Sequence, residues 1–232
     1  MWRVLPLFLL TGCCFFGRQT NEDLGAEYVG ARYLNDPLGE TRAPDEDPLI
    51  RFDAFDCTTF IETALAGGDV QRLNKIRYAD GEPDFINRNH FIETDWLENN
   101  ANIVRNISAD YAPTETYTAT IDKGNWFRVM HNMAADFTPR TAHLEYIPYK
   151  YAADIAVTRP VVVLFLRANP KIHDKIGTDL VVRHMGFLLP DGTLRHASRR
   201  AGAVVDTNFR KYVQRMMESP KNLGIIILEI KK

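Results

Sequence analysis

Between Phe55 and Gly68 the apolar side chains fall at positions 57, 60, 61, 64 and 65. That is the i, i+3, i+4, i+7, i+8 spacing with which a helix turns one face inward. Asp56 is a good N-cap and Gly67-Gly68 a good stop, so the pattern predicts a helix beginning at Cys57. Further along, the period changes. Pro160 to Leu166 and Gly224 to Ile230 are continuous apolar runs rich in β-branched residues, as expected of strands buried on both faces. Asp179 to Ser198 places two strand-like arms around Pro190-Asp191-Gly192, a hairpin signal. Phe209 to Met217 predicts a helix, and so does Asn21 to Leu34, with Leu24, Tyr28 and Ala31 on one face. Asp36 to Asp47, rich in Pro, Gly and acids, reads as a loop, whereas Asp69 to Tyr149 is too mixed to assign. These elements predict an α+β fold whose sheet is mostly antiparallel. No internal repeat is visible.

The hairpin loop decides which side chains share a face. Pro190 suits the second position of a type I turn, and Gly192 takes the left-handed residue of a three-residue loop. Leu189 then lies opposite Thr193, Gly186 opposite His196 and His184 opposite Ser198. His184 and His196 stand on one face along a diagonal, ~7–8 Å apart at the backbone. A two-residue loop at Asp191-Gly192 would send them to opposite faces.

Composition narrows the classes. The chain has 232 residues, 45% hydrophobic and 25% charged, with 14 Gly and 12 Pro, which excludes collagenous and disordered chains. With 28 basic and 30 acidic residues the formal charge is −2, which lacks the basic footprint of a nucleic-acid binder. No apolar run reaches 18 residues, so a multi-span membrane protein is excluded too. Met1-Trp2-Arg3 followed by the apolar run Val4 to Leu10 reads as a secretory signal. Leu10-Thr11-Gly12-Cys13 resembles the bacterial lipoprotein box, in which Cys13 would carry the lipid. The expected organisation is a signal peptide over 1–12, a tether over 13–20, a helical half over 21–145 and a β-rich half over 146–232. An exported lipoprotein, anchored on the periplasmic side at the outer membrane, is expected, with its body beside the bilayer.

Cysteine usage adds the chemistry. Of three cysteines, Cys13 and Cys14 lie at the processing site, leaving Cys57 alone in the folded body. A lone thiol in an exported domain is either a buried, inert hydrophobe or a reactive group. In a first helical turn, free backbone N–H groups and the positive dipole end favour a thiolate and could hold an oxyanion. A cysteine nucleophile also needs a base, usually histidine, and a third group to orient it. His184 and His196 are candidates on the hairpin, with Asp206 the other choice for the third residue. His131, His143 and His173 read as surface or loop histidines.

Phe55-Asp56-Cys57-Thr58, then His184-Met185-Gly186-Phe187, then Arg195-His196-Ala197-Ser198 resemble the NlpC-type cysteine hydrolases of bacterial cell walls. More narrowly, the chain resembles the N-acetylmuramoyl-L-alanine amidase-like family, formerly a domain of unknown function. Asn35 to Glu40, Arg51-Phe52-Asp53, Arg77-Tyr78, Arg88-Asn89-His90, Asp95-Trp96, Asn99-Asn100 and Val204-Val205-Asp206 extend the likeness over most of the mature chain. The resemblance implies a papain-like fold, with a helical half carrying the cysteine packed on a partial barrel carrying the histidines. It implies Cys57 as nucleophile, His184 as general base and acid, and His196 as third residue. Asp56 and Thr58 match substrate-binding positions, Thr58 standing where many relatives have serine. Arg88, His90 and Trp96 join them as candidates for binding saccharide or peptide. Peptidoglycan is the implied substrate, cut between muramic acid and L-alanine or within the stem peptide, with no cofactor and a monomeric protein. Two other readings stay open. His90 and Glu93 have a zinc-ligand spacing that would need a third ligand, and a non-catalytic lipoprotein could bind wall glycan on the same fold.

Overall fold

The computed structural model describes residues 24–231. The expected signal peptide, the tether and Cys13 lie outside the described residues. In chain order the elements are β1 (Arg32–Tyr33), β2 (Ala54–Phe55), α1 (Cys57–Ala66), α2 (Val70–Arg77), α3 (Leu97–Asn99), β3 (Val104–Asn106) and β4 (Glu115–Ile121). They continue with α4 (Lys123–His131), β5 (Arg140–Pro148), α5 (Tyr149–Ala152), β6 (Val161–Arg167), α6 (Pro170–Ile176), β7 (Val182–Leu188), β8 (Thr193–Ser198), β9 (Ala203–Asn208), α7 (Phe209–Met216) and β10 (Asn222–Ile230).

The strands form one sheet in the order β2-β1-β9-β8-β7-β6-β10-β5-β4, with β3 also paired to β10. Only β1 and β2 run parallel among the described pairs. The apolar runs become central strands because both of their faces are covered. Val162, Leu164 and Leu166 of β6 join Phe60, Trp96 and Phe187 in one core layer. Val161, Val163 and Phe165 join Tyr149, Phe209 and Val213 in the other. Burying each such side chain stabilises by roughly 1.5–3 kcal/mol, which is why neither face can carry polar residues.

Helix α1 begins and ends as the sequence predicts. The Asp56 carboxylate accepts from the Thr59 amide at 2.8 Å, and the Thr59 hydroxyl accepts from the Asp56 amide at 3.0 Å. This reciprocal cap fixes Cys57 as the first helical residue. Gly67 stops the helix in a left-handed conformation. The buried face of α1 packs on β7 and β8, with the Phe60 ring edge-on to Phe187 at 5.7 Å.

The hairpin adopts the three-residue loop. Leu188 pairs with Leu194 and Phe187 with Arg195, the Leu189 amide donates to the Thr193 carbonyl at 2.9 Å, and Gly192 is left-handed.

Two expectations fail. Residues beyond Leu24 make a single 3₁₀ turn, Ala26–Tyr28, followed by β1, not a helix to Leu34. Gly25 and Gly30, both at positive φ, break the helical period there. The expected boundary at 145/146 falls inside β5, because the unassigned middle stretch supplies β3, β4 and β5 to the same sheet.

Candidate functional site

The capped start of α1 brings Cys57 to the edge of the β7–β8 hairpin. Its side chain is half-buried and forms no disulfide. Burial, then the neighbouring Asp56 carboxylate, pushes the thiol up to about 12, against opposing hydrogen bonds from the Met185 amide and the Thr58 hydroxyl. Burial thus works against the thiolate that a helix start favours. Desolvation outweighs the helix dipole here. The Met185 contact sets the sulfur beside the residue that follows His184.

His184 and His196 meet as the diagonal requires, with Nε2 of His184 2.7 Å from Nδ1 of His196. His196 is buried, and its Nε2 lies 3.5 Å from the Thr207 hydroxyl, which donates to the Leu194 carbonyl at 3.3 Å. One proton arrangement satisfies this chain. His184 Nε2–H donates to His196 Nδ1, His196 Nε2–H donates to Thr207, and His184 Nδ1 is left as a bare acceptor. Burial, then the neighbouring His196, takes His184 down to about 3. Burial and the Arg215 charge take His196 down to about 4. Asp206 does not compete for His184, because it forms a two-pronged pair with Arg195 at 2.9 Å on each arm.

Gly186 lets the two imidazole-bearing strands approach. A Cβ there would lie 2.9 Å from the Arg195 carbonyl and 3.0 Å from the His196 Cβ. Gly186→Ala is expected to cost about 1–3 kcal/mol through overpacking. Urea melts would measure it, and an unchanged midpoint would show that the hairpin yields without cost.

The lowered imidazoles also give stability a sign in pH. Unfolding returns both to an ordinary value near 6.5, so the unfolded chain binds more protons below that pH. Stability is expected to be level above pH 6.5 and to fall as pH drops toward the folded values of about 4 and 3. Urea midpoints at pH 7.5 and 5.0 test this window, where most carboxylates stay ionised. A His184→Gln, His196→Gln double variant should lose less midpoint over the same interval; an equal loss would refute the assignment.

Beside the thiol opens a cavity of about 230 Å³, lined in part by Asp36, Asp56, Thr58, Arg88, His90 and Trp126. The Asp56 carboxylate also accepts from the Asp36 amide at 3.3 Å. Beneath it lies a buried ionic floor. Arg88 grips Glu40 at 2.8 and 2.6 Å and Asp45 at 2.6 Å, and Arg77 pairs with Glu62 at 3.0 Å. Arg88 thus lines the cavity with its charge matched inside the protein. His90 holds the Phe85 carbonyl at 2.6 Å, and burial keeps its ring neutral.

Trp96 is not at the site. It is fully buried in the core layer under α1, and Trp126 of α4 provides the cavity's indole instead. Trp96 is the last residue of the five-residue π-helical turn Ile92–Trp96. The Trp126 ring lies 4.6 Å from both His90 and His131, so His131, read as a surface residue, is exposed yet borders the cavity. The Asp122 cap before Trp126-Phe127 marks a helix start, but nothing local says which face meets the cysteine.

His90 and Glu93 do not converge. One Glu93 oxygen accepts from the Val181 and Val182 amides, both at 2.7 Å, while His90 turns to Phe85. No group of three His, Cys, Asp or Glu residues suited to a metal ion occurs among the described residues.

Known proteins share this architecture. The crystal structure of a Legionella pneumophila protein assigned to the DUF1460 family superposes with a TM-score of 0.82 at 24% identity, covering 91% of this chain and 88% of that one. Crystal structures of a Bacteroides uniformis N-acetylmuramoyl-L-alanine amidase give TM-scores of 0.70 and 0.69 at 23% and 21% identity. They cover 91% of this chain and 97% and 98% of those chains. At these identities the likeness is one of fold. No curated protein matches the chain. The family model described as N-acetylmuramoyl-L-alanine amidase-like matches residues 23–219. By that match, the chain belongs to the N-acetylmuramoyl-L-alanine amidase-like family.

Proposed function

We propose that the protein hydrolyses an amide bond of peptidoglycan or its fragments through Cys57, on a papain-like arrangement of helix and sheet. The observation that carries this reading is the 2.7 Å His184–His196 bond beside the helix that begins at Cys57. His184 Nδ1 takes the proton of the neutral thiol as sulfur attacks the carbonyl carbon. Backbone N–H groups at the start of α1 receive the oxyanion. The tetrahedral intermediate collapses as His184 returns the proton to the departing amine, leaving a thioester on Cys57. His184 then draws a proton from water, whose oxygen attacks the thioester, and the acid is released with the thiol restored. His196 holds the imidazole in its tautomer. Asp56, Thr58, His90 and Trp126 face the acyl half of the substrate in the cavity.

Family membership favours the bond between muramic acid and L-alanine. Mass analysis of products released from purified sacculi and from muramoyl peptides tests the reading. Free stem peptide with intact glycan is expected, blocked by iodoacetamide and insensitive to chelator. Turnover that survives complete alkylation would overturn it. Export and lipid attachment at Cys13 belong to the same proposal, and mass measurement of the membrane-extracted protein's N-terminal peptide checks them.

A further inference from the structure

We infer that Arg215 of α7 binds a substrate carboxylate on the leaving-amine side of the cleft, an inference that rests on the hydrolytic reading above. The general acid fixes the direction. His184 must hand its proton to the departing amine, so the amine half lies over the imidazole pair and the acyl half lies across the thiol. Tyr212 borders the imidazoles, its ring 6.2 Å from His184 and 5.3 Å from His196. The Arg215 guanidinium sits 5.2 Å from that ring, one helical turn further along α7. It is exposed, and its charge is felt at His196. No carboxylate pairs with it among the described residues.

The other side of the thiol has the opposite character. Arg77 and Arg88 are shared there among Glu62, Glu40, Asp45 and Asp36, so the carboxylates already outnumber the guanidiniums, and Asp56 adds to that acidic excess around the cavity. A carboxylate on the acyl half would meet like charge, whereas one on the amine half meets Arg215, whose fork suits it. The two sides together select an amide whose acyl half carries no carboxylate and whose amine half is a peptide with a free carboxylate. A muramoyl–L-alanine bond fits this polarity. A cut after the acidic residue of the stem does not, because it sets that residue's carboxylate on the acyl side.

Two N-acetylmuramoyl dipeptides, differing only in whether the second residue's carboxyl is free or amidated, provide the test. The wild-type chain should prefer the acid by about tenfold in kcat/KM, mostly through KM, on the scale of one charge-assisted contact. Arg215→Gln should erase the preference and Arg215→Glu invert it. A wild-type-like preference in Arg215→Gln would overturn the inference. Calorimetric binding of the acid to a Cys57→Ala chain, with and without Arg215→Gln, reads the subsite without turnover. An about tenfold weaker affinity on loss of Arg215 supports it, and equal affinities refute it. Arg215-dependent binding in a wild-type chain that cleaves neither peptide would sink the hydrolytic reading and leave the subsite standing.

Discussion

Replacing Cys57 by alanine is expected to lower hydrolysis of muramoyl peptides by roughly 10⁴-fold or more, as deletion of a nucleophile does, while the fold stays intact. The separation of the two effects follows from the construction of α1. Its N-terminus is held by the exchange between Asp56 and Thr59, neither of which involves the sulfur. Cys57 is only half-buried, so its truncation removes little apolar area. Since burial keeps the thiol neutral at rest, with its pKa pushed up to about 12, no buried charge loses a partner either. Kinetics on muramoyl peptides, paired with urea melts, measure both quantities. Residual activity above about one part in a hundred in Cys57→Ala would remove the sulfur from the chemistry. A melt shifted by several kcal/mol would instead make it a core residue.

The second large effect is on stability. Arg77→Ala is expected to cost roughly 3–5 kcal/mol, because it strands the buried Glu62 carboxylate on the same helix as the nucleophile. The side chains are 5% and 2% exposed, and the same guanidinium also donates to the Leu38 carbonyl at 2.6 Å. Burial already raises the Glu62 pKa against the pull of Arg77, so loss of that partner would raise it further. Arg77→Met combined with Glu62→Leu should recover much of the loss, since no charge is left unpaired. Urea unfolding of the two singles and the double gives the coupling. A loss below about 1 kcal/mol in Arg77→Ala would mean that water reaches Glu62.

What the sequence made legible was local. The α1 start could be read because its cap, apolar period and stop lie within a dozen residues. The hairpin register could be read because Pro190 and Gly192 specify a loop length, and loop length puts His184 and His196 on one face. The ionic floor was hidden because its partners are far apart in the chain, Arg88 and Glu40 by 48 residues and Arg77 and Glu62 by 15. Trp96 and Trp126 were indistinguishable for a related reason. Both sit among polar and aromatic neighbours, and only packing against the sheet turns one inward and leaves the other on the cavity. The burial that raises the thiol's pKa is hidden for the same reason: the helix end is visible in sequence, while the density of atoms around the sulfur is not.

The position of β10 has a consequence for how the molecule comes into being. This strand follows the other nine described strands, yet it lies between β6 on one side and β5 and β3 on the other. Until it arrives, the apolar stretch Val161–Leu166 of β6 offers an unpaired border to any neighbouring chain. Closing the sheet from the earlier strands therefore waits for β10. Arg159 and Pro160 before β6, and Pro220 and Lys221 before β10, are well placed to discourage self-association during that wait.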